Sequence, residues 1–80
     1  MNARNAIKKL GTVGKVNHDA QINSYWAVVG EKVISFYVQN DRAMGFHTKR
    51  VGAEADPCTD YYPGMYWPNL TQAIRAAQRA

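Results

Sequence analysis

"INSYWAVVGEKVISFYVQNDRAMGFHTKRV", residues 22–51, decides the fold. Three runs inside it, 22–29, 33–39 and 44–51, are dense in β-branched and aromatic residues, the types that suit a pleated, half-buried surface. "GEK" (30–32) and "NDR" (40–42) separate them. Connections this short join neighbouring strands only as hairpins, so the three runs read as consecutive antiparallel strands.

Register decides which side chains share a face, because a slip of one residue moves every side chain of a strand to the other side. With Gly30–Lys32 and Asn40–Arg42 as three-residue loops, Trp26, Val28, Ile34, Phe36, Val38, Met44 and Phe46 fall on one face. That face gathers the large apolar groups and is the expected seat for helices. Tyr25, Ala27, Val33, Tyr37, His47 and Lys49 then occupy the other face. A two-residue Gly30–Glu31 turn is the competing choice, since glycine suits the first position of a II′ hairpin. It would set Tyr25 opposite Phe36 and expose Trp26.

Upstream, "TVGKVNH" (12–18) reads as a weaker first strand, with Gly14 marking a bulge or an edge. "NARNAIKKLG" (2–11) reads as a short amphipathic helix. Asn2 is its cap, Ala3, Ala6, Ile7 and Leu10 form its apolar face, and Gly11 is its stop. Downstream, "NLTQAIRAAQRA" (69–80) carries Asn69 as N-cap with Gln72 placed to complete a capping box. Leu70, Ala73, Ile74 and Ala77 make the stripe that packs on the sheet. The expected architecture is a single α+β domain over residues 1–80. It is a four-stranded, mainly antiparallel sheet with an N-terminal and a C-terminal helix on one face, in the order αββββα.

A chain of 80 residues has no room for a deep substrate cavity beside its core. An apolar share of 46% argues against disorder. The one cysteine, Cys58, cannot form an internal disulfide, which points to the cytoplasm. No run is long and apolar enough for a membrane span, and the N-terminal stretch has no signal-peptide core. Ten Lys and Arg against six Asp and Glu give a net charge of +4, which favours partners with negative surfaces.

Chemistry-bearing patterns are sparse. His18, Asp19, His47, Cys58 and Asp60 match no metal-ligand spacing, so no metal is expected. Asp56 and Asp60 flank Cys58 and would disfavour its thiolate, which argues against a nucleophile. Asp56 and Asp60 have no cleft in which to act as paired carboxylates. The glycines form no phosphate-binding pattern, and no cofactor is expected. The chain reads as a non-enzyme.

"DPCTDYYPGMYWPN", residues 56–69, holds all three prolines and four of the nine aromatic residues. Proline stiffens such a crossover, so the stretch reads first as a strap that pins the last helix to the sheet. Tyr61, Tyr62, Tyr66 and Trp67 within seven residues exceed what one strap needs. Tyrosine and tryptophan dominate binding hot spots, so these four are the candidate partner-binding residues. Tyr25 and Tyr37 on the helix-free face are a second candidate surface.

Residues 34–74, with the "R-V" strand ending, an acidic loop, "TDYYPG" and "NLTQAI", resemble small uncharacterised proteins encoded by tailed bacteriophages. The resemblance covers about half the chain and carries no catalytic signature. It implies a phage accessory protein in the bacterial cytoplasm that binds and modulates or inhibits a host macromolecule, a protein in the first place. The alternative is direct nucleic-acid binding, with Arg4, Lys8, Arg75 and Arg79 forming a basic stripe across two adjacent helices. His47 and Lys49 on the aromatic sheet face would assist it. Self-association through a half-apolar sheet face is also open.

Overall fold

A computed structural model describes residues 1–50 and 65–79 of the chain. Five strands, β1 (Asn17–Asp19), β2 (Ser24–Val29), β3 (Lys32–Gln39), β4 (Arg42–Arg50) and β5 (Met65–Tyr66), form one antiparallel sheet in sequence order. Helices α1 (Ala3–Leu10) and α2 (Leu70–Gln78) pack on one of its faces. The α+β class and both helices are as the sequence predicts, but the sheet has five strands instead of four. The extra strand is only two residues long and lies within the proline-rich stretch, where no alternation could announce it. The first strand is also shorter than expected, because residues 12–14 continue the turn that ends α1.

Both central hairpins turn on two residues, which corrects the three-residue loops. Val29 pairs with Lys32 across Gly30 and Glu31, and Gly30 takes φ +62°. Gln39 pairs with Arg42 across Asn40 and Asp41, whose φ values of 53° and 62° follow the I′ pattern. Tyr25 therefore stands opposite Phe36, and Ala27 opposite Ile34. Tyr25 and Ala27 face the helices, whereas Trp26 and Val28 lie on the opposite side, which is bare of helices among the described residues.

On β4 the shorter turn is offset by a bulge. Ser35 pairs with His47 while Tyr37 pairs with Met44, so one residue of β3, Phe36, stands against two of β4, Gly45 and Phe46. Gly45 sits in this irregularity at φ +68°. The inserted residue resets the alternation. Ala43, Phe46 and Thr48 face the helices, and Met44, His47 and Lys49 lie on the bare side. Met44 thus leaves the face expected for it, while Phe46, His47 and Lys49 keep theirs.

The core lies between the sheet and the helices. Phe36, Leu10, Ile34 and Leu70 are its largest fully buried side chains, joined by Ala6, Ala27, Ala43, Phe46, Ala73, Ile74 and Ala77. An aromatic row crosses the helix-side face from His18 through Tyr25 and Phe36 to Phe46, with ring centroids 4.2, 5.7 and 5.9 Å apart. Small alanines on both helices let the backbones approach this row closely.

The helix starts follow their caps. Asn2 Oδ1 accepts from Asn5 N at 2.8 Å, and Asn69 Oδ1 accepts from Gln72 N at 2.9 Å. Gly11 does not use the left-handed conformation expected of it. It has φ −63° and its N–H donates to Ile7 O, so the chain runs on through a further turn before β1. The start of α1 is tied to the second hairpin, with Ala3 N donating to Asp41 O and Ala43 N to Met1 O. Among the described residues, no helix is long and apolar enough to cross a membrane.

Candidate functional site

Strand alternation and the two turns assemble a bare sheet face with three rows of side chains. The middle row crosses all five strands as Asn17, Trp26, Ser35, His47 and Tyr66. Val28, Val33 and Lys49 form the row on one side, and Ser24, Tyr37 and Met44 the row on the other. Tyr66 is 62% exposed, Val28 45% and Tyr37 44%, while Trp26, Ser35 and Met44 are half-buried. Val33, His47 and Lys49 are buried despite lying on this side. The Tyr66 ring packs on His47 with centroids 4.7 Å apart.

The six candidate partner-binding residues separate. Tyr37 and Tyr66 share the bare face. Tyr25 lies on the helix side, stacked between His18 and Phe36, so it belongs to the core layer. Trp67 is half-buried against the core, and its Nε1 donates to Thr48 Oγ1 at 2.9 Å. Tyr61 and Tyr62 lie outside the described residues, as do Asp56, Cys58 and Asp60. Tyr66 and Trp67 are chain neighbours pointing to opposite faces, because β5 pairs His47 with Tyr66 and Trp67 N donates to Phe46 O. The stretch therefore serves the core with one ring and presents the next.

The six cation candidates also separate. Lys9, a cation outside the expected stripe, lies at the contact between the two helices, where its Nζ donates to Thr71 Oγ1. At helical spacing Arg4 points well away from that contact, about 140° around α1 from Lys9, and Arg4 and Lys8 are both exposed. Arg75 and Arg79 lie beside Trp67 instead. His47 and Lys49 are buried.

Around Trp67 two adjoining hollows lie between the sheet and the last turns of α2. One, of about 430 Å³, is lined by Lys32, Thr48, Lys49, Met65, Trp67, Ala76 and Arg79. The other, of about 290 Å³, is lined by Trp67, Gln72, Arg75, Ala76 and Arg79. They share Trp67, Ala76 and Arg79, so they flank the same indole. Among the described residues, no carboxylate lines either one. Lys32 and Thr48 were missed by sequence reasoning. The two-residue turn that sends Lys32 to the helix side is the signal that could have found it.

His18 and His47 lie on opposite faces of the sheet, so they cannot share a metal ion. Among the described residues, no three His, Cys, Asp or Glu side chains cluster. Comparison of the chain with protein-family models, with curated proteins and with solved structures gives no match.

Proposed function

We propose that this chain is a non-catalytic binding protein whose bare sheet face engages an acidic partner protein. The observation that carries the reading is the exposure of Tyr66, Val28 and Tyr37 on a sheet face that no helix covers among the described residues, beside half-buried Trp26 and Met44. Aromatic and apolar groups held on strands lose little conformational freedom when a partner covers them. Tyrosine adds a hydroxyl that bonds at the rim of such a contact. Ten Lys and Arg against six Asp and Glu give the chain a net charge of +4. That imbalance supports an acidic partner through long-range attraction. In the setting that the phage resemblance implies, the partner is a host macromolecule and the binding modulates or inhibits it.

The test begins with capture from a bacterial lysate on immobilised protein, with and without nuclease. The retained protein is identified, purified and titrated against wild type, Tyr37→Ser and Tyr66→Ser. Retention that survives nuclease, followed by weaker binding of both variants, upholds the reading. Retention abolished by nuclease would turn it to nucleic acid.

A further inference from the structure

We infer that the paired hollows around Trp67 bind a nucleoside monophosphate group, either as a free mononucleotide or as the phosphorylated end of a single strand. The inference is independent of what the bare face binds, because none of Tyr66, Val28 and Tyr37 is among the residues that line these hollows.

The geometry separates the two halves of such a ligand. Trp67 Nε1 is already satisfied by Thr48 Oγ1 at 2.9 Å, so the ring is held in place and needs no hydrogen bond from a ligand. What it offers is flat apolar surface, extended by Met65 and Ala76. Indole faces of this kind stack planar bases with little regard to their identity. Around the ring stand Lys32, Arg75 and Arg79. Arg75 and Arg79 are both exposed and four residues apart, so one helix face projects them together. A phosphate dianion offers several acceptor oxygens to such guanidinium groups, more than a single carboxylate does. The last turn of α2 carries partial negative charge, so an anion here depends on these side chains and not on the helix end. A hollow of about 430 Å³ falls in the ~300–1,000 Å³ range of small-ligand sites, and the second shares Trp67, Ala76 and Arg79 with it.

Isothermal titration with AMP, adenosine, inorganic phosphate and a short single-stranded oligonucleotide with and without a 5′-phosphate tests the assignment. Saturable binding is expected for AMP or for the phosphorylated oligonucleotide. The first names a free mononucleotide as the ligand and the second a strand end. Adenosine and inorganic phosphate alone are each expected to bind at least ~10-fold more weakly, since each forfeits one set of contacts. Arg79→Gln is exposed and should leave melting unchanged while weakening binding at least ~10-fold. Arg4→Gln on the far side of α1 should bind as wild type does. No saturable binding of either phosphorylated probe overturns the inference. So does inorganic phosphate binding as tightly as AMP, or equal affinities for Arg79→Gln and Arg4→Gln.

Discussion

The ring of Tyr37 lies against the α-carbon of Gly45, across the bulge in β4. A Cβ on Gly45 would overlap Tyr37 Cε1 and stand 2.8 Å from its Cδ1. The glycine therefore answers two demands, a left-handed backbone at φ +68° and room for the ring. Gly30 meets only the first, since nothing lies within 4 Å of a Cβ built there at φ +62°. Gly30→Ala should cost about 1–2 kcal/mol, the left-handed penalty alone. Gly45→Ala should cost measurably more, and Tyr37→Ala in its background should relieve part of the excess. Denaturant melts of the two single variants and the double variant check this. Equal losses for Gly30→Ala and Gly45→Ala would show that the Tyr37 ring yields freely.

Phe36 is the centre of the aromatic row and is 1% exposed. Phe36→Ala should cost about 3–5 kcal/mol, from lost burial together with the cavity left between Tyr25 and Phe46. For a domain of this size that is a large part of the total stability. A thermal midpoint lowered by only a degree or two would refute this packing.

How far the sequence could be read follows from where the information is local. The caps at Asn2 and Asn69, the apolar stripe of α2 and the three central strands depend on neighbours within a few residues, and each is where the sequence puts it. Turn length is different. "GEK" and "NDR" permit two-residue or three-residue loops, and the choice rests on whether Asn40 and Asp41 accept positive φ, as they do at 53° and 62°. The bulge at Gly45 is set by a partner on another strand, the Tyr37 ring, so no window on β4 alone reveals it. Two departures of one residue, in the turn and in the bulge, cancel beyond Ser35. That is why Phe46, His47 and Lys49 sit on their expected faces while Met44 does not. The candidate site inherited the same dependence: Tyr25 moved to the core side because the first hairpin is one residue tighter.

Asn69 sets the start of α2 and thereby the placement of Arg75 and Arg79. Its side chain accepts from Gln72 N at 2.9 Å. Asn69→Ala should cost about 1 kcal/mol, and Asn69→Asp should be nearly neutral because aspartate caps equally well. Chemical denaturation of both variants checks it. Equal losses would mean that the contacts of α2 with the sheet fix the helix start without the cap.

Tyr66 and Trp67 offer the sharpest separation of binding from stability, because the last residue of β5 and the residue after it face opposite sides. Trp67 packs on the core and bonds Thr48, so Trp67→Ala should remove about 2 kcal/mol or more of stability. Tyr66 is 62% exposed and rests on His47. Tyr66→Ala should cost about 1 kcal/mol or less in stability. If the bare face is the partner surface, the same change should cost about 2 kcal/mol or more in affinity, as truncating a central hot-spot ring does. Tyr37→Ala should behave like Tyr66→Ala, because its ring is 44% exposed on the same face. Melting temperature and partner affinity are measured on the same preparations of all three variants. Loss of stability in Tyr66→Ala to the extent seen for Trp67→Ala, with affinity per folded molecule unchanged, would make both rings structural and move the partner surface off the bare face.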